Sequence, residues 1–163
     1  MRPALIPTLA MALVACACTS YGPGGLQPGQ GRAAVEADMG PPTGRHALAG
    51  GGERLEFARG PFGRHTYMLD FDAQGRLLRQ EQVLRDDVFD RVQPGMRADA
   101  VRALLGRPGH VAGIWRGATV WSWRYESPFC QWFQVTLEPD GTVRDAGRGP
   151  DPLCETNDKD NLP

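Results

Sequence analysis

The most constraining feature of this sequence is an internal repeat at an offset of 66 residues. Residues 26–77 align with residues 92–143 without a gap, and ten of the 52 aligned positions are identical. A chain this rich in Gly, Ala and Arg would give about four identities by chance, so identity alone suggests a duplication without establishing it.

The apolar positions of the two copies establish the duplication, because they keep both residue type and alternation. Successive side chains of a β-strand point to opposite faces, so a shift of one residue would place every apolar position on the wrong face. The sequence therefore predicts a first module over residues 26–85 and a second over residues 86–148. The matched pairs are Leu55/Trp121, Phe57/Trp123, Tyr67/Phe133, Leu69/Val135, Phe71/Leu137 and Leu77/Val143.

The second copy shows the pattern of two short helices followed by an antiparallel meander. Residues 86–92 and 97–105 are the predicted helices, and Gly106 lies where a glycine C-cap is expected. Apolar and polar residues then alternate as they do in half-buried strands. The predicted strands cover residues 121–126, 133–137 and 142–146.

The first copy repeats this order with a poorer helix that begins near Arg32. Its predicted strands cover residues 53–59, 65–72 and 76–84. Gly50-Gly51-Gly52 is expected to form a loose connection equivalent to Arg116-Gly117-Ala118. The predicted fold class is α+β, with two tandem modules, each of short helices packed on a three-stranded antiparallel meander.

The N-terminus resembles the export signal of a bacterial lipoprotein. Arg2 precedes an apolar stretch that is too short to span a membrane, and Leu13-Val14-Ala15-Cys16 is similar to a lipobox. We expect residues 1–15 to be a signal peptide, Cys16 to be the lipidation site and residues 16–25 to be a flexible tether. Ala17 after the acceptor favours the outer membrane, where the protein would face the periplasm. The alternative is a plain cleaved signal peptide.

Charge and cysteine usage narrow the function classes. The formal net charge is -1, and acidic and basic residues are interspersed. The sequence therefore has no basic stripe of the kind that binds nucleic acid, and we expect no nucleic-acid partner. Cys130 and Cys154 remain in the folded part, and in an oxidising periplasm a disulfide is the simplest prediction for them, with a metal site as the less favoured alternative. This bond would tie the predicted polar tail, residues 149–163, to the second module.

No residue pattern predicts catalysis, a metal site or a cofactor. His46, His65 and His110 have no acid or nucleophile at a catalytic spacing. The segment from Asp70 to Gly75 resembles a calcium loop only superficially, because it lacks the third acidic position and the distant Glu. We therefore expect a protein that is not an enzyme and has no small-molecule substrate.

The segment GMRADAVRALLGRP resembles the signature of the SmpA/OmlA lipoprotein family, which includes a small lipoprotein of the outer-membrane β-barrel assembly machinery. The resemblance covers about 60 residues of the second copy and, weakly, the first. It implies two helices packed on a three-stranded antiparallel sheet. The matching positions are Gly95, Met96, Val101, Leu105, Gly106, Pro108, Asp140 and Gly141.

The resemblance implies a lipid-anchored, non-catalytic adaptor that binds protein partners, such as subunits of the assembly machinery, and anionic phospholipid. Two tandem copies also resemble the architecture of the secreted β-lactamase inhibitor protein, so the alternative function is a periplasmic protein-binding or inhibitor module. Met96 and Trp132 are the predicted partner-binding residues. Trp132 falls on the sheet face opposite Phe133, where it either anchors a partner or packs within the protein.

Overall fold

A computed structural model describes residues 19–154 of the chain. The predicted signal peptide and the predicted lipidation site Cys16 lie outside the described residues, as do residues 155–163 of the predicted polar tail. None of the helices within residues 19–154 is long and apolar enough to cross a membrane.

The described chain contains two antiparallel sheets and three α-helices before residue 152, where a further helical segment begins. The helices are α1 (Arg32–Met39), α2 (Asp86–Phe89) and α3 (Ala98–Leu105). The first sheet contains β1 (Gly44–Ala47), β2 (Glu53–Ala58), β3 (Thr66–Phe71) and β4 (Leu77–Gln82), in that order. The second contains β5 (His110–Gly113), β6 (Thr119–Arg124), β7 (Gln131–Leu137) and β8 (Val143–Pro150), in that order.

The predicted α+β architecture of two tandem modules is confirmed, with one correction to the strand count. Each meander has four strands rather than three, because β1 and β5 form an additional edge strand in each sheet. Both are only four residues long and carry no apolar alternation that would have predicted a strand. The segments after them, Ala49–Gly51 and Trp115–Gly117, are tight hairpin turns rather than loose connections.

The offset of 66 residues persists in the backbone itself. Helices α1 and α3 occupy equivalent positions, and the isolated bridge between Gly31 and Arg76 recurs between Arg97 and Thr142. Gly40 and Gly106 end the two helices with positive φ, a conformation that glycine adopts without a steric penalty.

The first core lies between α1 and the sheet β1–β4. Val35 and Met39 form the buried face of the helix. They pack on apolar side chains of one sheet face, because alternation along β2 and β3 sends these to the same side. The other buried members of this cluster are Leu26, Leu55, Phe57, Leu69, Phe71 and Leu77.

The second core is larger because it takes side chains from both modules. Val101 and Leu105 of α3 pack on one face of the sheet β5–β8, as their counterparts do in the first module. Met68, Val83 and Leu84, which precede α2 in the chain, complete the same cluster. The two modules therefore share a continuous apolar contact.

This sharing gives the molecule a layered order. One face of the first sheet covers α1, and its opposite face receives α3, whose other side lies on the second sheet. The close approach is visible at Gly106, where an added Cβ would lie 2.7 Å from the Thr66 methyl. The layers run α1, first sheet, α2 with α3, second sheet.

Part of the segment before α1 also packs on the first module. The Ser20 hydroxyl donates a hydrogen bond to Asp38, and the Tyr21 hydroxyl lies 3.0 Å from Nδ1 of His65. The Arg59 guanidinium donates to the carbonyl of Tyr21. Ser20 and Tyr21 of the predicted tether thus contact the first module.

Candidate functional site

The junction between the two modules is built around one buried carboxylate. Glu56 is 1 % exposed, and it lies on the face of β2 that α3 approaches. Its Oε1 accepts hydrogen bonds from the Thr43 hydroxyl and from the backbone N–H of Arg107, both at 2.8 Å. Its Oε2 lies 3.2 Å from Nε2 of His46. Glu56 therefore links the first sheet to the end of α3.

A cleft of about 310 Å³ opens beside this carboxylate. It is lined by Gly44, Arg45, His46, Glu56, Asp99 and Arg102. A carboxylate beside a histidine is an arrangement that can move protons, and the sequence did not predict it. The three hydrogen-bonding groups on Glu56 hold it as a structural link, which is the role that its contacts support.

A second ionic cluster reinforces the same junction. Asp70 accepts hydrogen bonds from Arg54 at 2.6 and 2.9 Å and from Arg79 at 2.7 Å. Arg54 also donates to the carbonyl of Ala103 in α3 at 3.3 Å. Burial on its own would raise the pKa of Asp70, but the hydrogen bonds from the two arginines outweigh burial and lower that pKa.

The structure places Trp132 on the outer face of the second sheet, as its position in the alternation along the strand predicts, but the ring is covered. Only 9 % of it is exposed. The His110 ring stacks on it at 5.8 Å between centroids, and the Arg124 guanidinium lies 5.4 Å from the ring centroid. Of the two alternatives for this residue, the contacts agree with packing. A partner-binding role for Trp132 stays a prediction that would require these groups to move.

Met96 lies before α3 and is half-buried against the second core. Its sulfur accepts a hydrogen bond from the backbone N–H of Gln93. These contacts stabilise the turn that precedes the helix, and its predicted role in partner binding remains untested.

Cys130 and Cys154 form the predicted disulfide, with Cα atoms 6.3 Å apart. The same tail is held by Asp151, whose carboxylate accepts two hydrogen bonds from Arg124. Burial tends to raise the pKa of Asp151, but the hydrogen bonds from Arg124 and from the N–H of Leu153 lower it overall. Two independent links therefore fix residues 151–154 to the second module.

Within residues 19–154, no cluster of three or more His, Cys, Asp or Glu side chains has a geometry suited to a metal ion. His65 lies between Tyr21 and Tyr67, stacked on the latter at 5.7 Å, and His110 covers Trp132. The structure thus separates the three histidines, since His46 contacts Glu56 instead.

The surface that the sequence did not predict is the free edge of β5. Val111 is 52 % exposed, and Trp115 in the following turn is 85 % exposed. A groove of about 420 Å³ runs between this edge and α3, and it is lined by Arg102, Arg107, Pro108, Gly109, His110, Val111 and Trp121. An exposed apolar group with a basic rim is typical of a recognition surface. The apolar run Ile114-Trp115 beside Arg116 in a turn was the available sequence signal.

No protein-family model and no curated protein sequence matches this chain.

Proposed function

We propose that this protein is an outer-membrane lipoprotein that faces the periplasm and acts as a non-catalytic adaptor, with Cys16 as its lipid anchor. The observation that carries this proposal is the exposed apolar edge of the second module, at β5 and the turn after it. Large apolar side chains concentrated at one edge are suited to holding another protein.

The sequence supports the same function independently. The lipobox-like segment that ends at Cys16 would fix the chain to a membrane by acyl chains, which contribute about 0.8 kcal/mol for each buried methylene. The resemblance of residues 95–108 to the SmpA/OmlA signature favours assembly of outer-membrane β-barrels as the process served. The partners would then be subunits of the assembly machinery.

The alternative, an enzyme inhibitor that grips its target with a concave sheet surface common to both modules, has less support. In the first module the corresponding sheet face lies against α3, where Glu56 and Thr66 are each 1 % exposed. Only the second module presents such a face to the outside, and its large aromatic, Trp132, is covered.

The test is a detergent extraction of the tagged protein from its own cells, followed by affinity purification and mass spectrometry. We expect acylated Cys16 in the N-terminal peptide and near-stoichiometric recovery of barrel-assembly subunits. Cys16→Ser should abolish acylation and membrane retention. An unmodified Cys16, or acylation with no envelope protein recovered, would contradict the proposal.

A further inference from the structure

We propose that the groove between α3 and β5 binds an extended peptide segment that adds a strand to the second sheet and presents apolar and acidic side chains to α3. This inference rests on the proposed function, because it names the class of partner that the adaptor would hold. The chemistry is that of strand addition, in which backbone hydrogen bonds supply affinity and side-chain pockets supply selectivity.

The backbone of β5 is available for such pairing. Among the described residues β5 pairs only with β6, which leaves its other side as a sheet edge. The N–H of Ile114 donates to the carbonyl of Ala118, and this pair follows Gly113 and Thr119, the last pair of the ladder. Because hydrogen-bonded and non-bonded pairs alternate along an antiparallel ladder, the backbone groups of Val111 and Gly113 point away from β6.

The side chains beside this edge are apolar where the added strand would lie. Val111 points to the same side of the sheet as Trp121, its partner in the register, and this side faces α3. Trp121 is only partly buried against the second core. Ile114 and Trp115 extend the apolar surface past the end of the strand, with exposures of 41 % and 85 %.

The charge around the groove selects an acidic partner. Arg102 lies over the Trp121 ring at 6.0 Å, and Arg116 lies over the Trp115 ring at 5.2 Å. Together with Arg107 they are three exposed cations, and none of them forms an ion pair with a described residue. An acidic side chain on the incoming strand would supply the missing anion.

The equivalent edge in the first module shows what the groove would look like if it were closed. There Arg45 occupies the position of Val111, and it pairs with Glu36 at 2.9 Å and with Glu53 at 3.1 Å. Arg32 also pairs with Glu53, at 2.8 Å. Charged side chains on an edge strand discourage pairing with another chain. The first edge is therefore blocked, whereas the second is open.

The same charges argue against a second copy of this chain as the occupant. Pairing of two β5 strands about a two-fold axis would bring Arg102, Arg107 and Arg116 toward the same set of arginines on the other copy. Like charges facing one another across an interface are unfavourable. A partner with carboxylates avoids this repulsion.

The probe is the peptide acetyl-Thr-Val-Thr-Glu-Thr-Val-Thr-amide, which as a strand places Val and Glu on one face and Thr on the other. Its binding to the full chain in detergent is measured by fluorescence anisotropy with a labelled copy. Amide hydrogen exchange, read by mass spectrometry, locates the site. We expect protection of residues 110–115 on binding and a Kd at least tenfold weaker when Lys replaces Glu.

Backbone pairing is tested by N-methylation, which removes amide donors. Methylating one alternate set of peptide amides should weaken binding at least tenfold, and methylating the other set should change it less than threefold. Equal effects of the two methylated sets would overturn the strand-addition geometry, and absence of binding at 1 mM peptide (about 4 kcal/mol) would overturn the proposal as a whole.

Matched variants of the protein complete the test. Arg102→Glu should weaken binding at least tenfold, whereas Arg91→Glu, an equal charge change at an exposed arginine outside the groove, should leave the Kd within twofold. Val111→Pro should also abolish binding, because it removes an N–H that would donate to the added strand. The protein should still fold, since Pro is tolerated on an edge strand where the N–H points outward. Circular dichroism confirms that each variant is folded. If a folded Arg102→Glu protein still recovered envelope partners from cells, peptide binding in the groove would be contradicted, whereas the proposed adaptor function would not.

Discussion

The first and second modules repeat one helix and a four-stranded sheet at an offset of 66 residues, yet they expose different chemistry. In the first, a network of ion pairs around Arg45 covers the edge strand, and the far face of the sheet is buried against α3. In the second, the edge strand carries the exposed Val111. The face of this sheet that points away from α3 has no further helix or sheet layer of the described chain on it. The difference shows how one copy of a duplicated fold becomes a support while the other retains a free surface.

The largest expected effect concerns the two cores. Phe57 and Trp123 are equivalent positions, each 1 % exposed, and replacing either by Ala should destabilise the protein by about 3–5 kcal/mol. Trp123→Ala should be the more damaging change, because the indole N–H also donates to the carbonyl of Gly106 and its cluster includes side chains from both modules. Urea unfolding followed by circular dichroism measures both. A greater loss for Phe57→Ala would show that the second core does not join the modules.

A smaller effect on stability is expected at Glu56 and Ser122, which occupy equivalent positions on the two sheets but have different surroundings. Glu56→Ala should cost about 3 kcal/mol, because it leaves the Arg107 N–H without its buried acceptor and leaves the Thr43 hydroxyl only the backbone carbonyl of residue 56. Ser122→Ala at the equivalent position should cost about 1 kcal/mol or less, since it removes one hydrogen bond from Gln134. Chemical denaturation of the two variants side by side measures the contrast, and equal losses would contradict the structural role of Glu56.

The acid-dependent stability that Asp70 contributes should have no equivalent at the matching position of the second module. Asp70 has a lowered pKa in the fold, so its contribution is present above the unfolded value near 4 and is lost as pH falls through the folded value. Its counterpart in the second module is Thr136, which does not titrate. Asp70→Asn should cost about 2 kcal/mol at neutral pH and reduce the loss of stability below pH 4. Thermal unfolding midpoints of both proteins between pH 6 and pH 2.5 test this. An equal fall of the midpoint below pH 4 in the variant and the unmodified protein would contradict it.

The smallest effect concerns the turns after the edge strands. Arg116 has φ of 64°, a strained value for a residue with a Cβ, whereas its counterpart is Gly50 with φ of 80°. Arg116→Gly should stabilise the protein by about 1 kcal/mol and Gly50→Arg should destabilise it by a similar amount. Nothing lies within 4 Å of a Cβ built on Gly50, so the second change tests strain rather than crowding. Thermal unfolding of both variants measures the effect, and changes of the same sign would contradict it.

The repeat alone predicted much of this fold. The matching alternation around Phe57 and Trp123 predicted the strands β2 and β6, and Gly106 predicted the end of α3. The edge strands were missed because four residues such as Gly44–Ala47 give too short a pattern, and their pairing depends on the neighbouring strand.

The candidate sites were less predictable, because they depend on how the modules pack. The proximity of Glu56 and Arg107 joins residues 51 positions apart in the chain, and no local pattern encodes that contact. The parity of Trp132 correctly indicated its sheet face, but the covering by His110 and Arg124 arises from tertiary packing. The exposed apolar edge at β5 was overlooked because its exposed tryptophan, Trp115, belongs to a turn.

The outer face of the second sheet has a consequence for how long such an array can become. Where the first sheet offers Met68 to the helix that stacks on it, the second offers Gln134, bonded to Ser122, and the tail is clamped nearby by Asp151 and the disulfide. Linear repeat proteins end in a terminal unit whose outward surface is polar. The second module has this character, so a third copy stacked on this face would find no apolar surface of the kind that Met68 gives the first sheet.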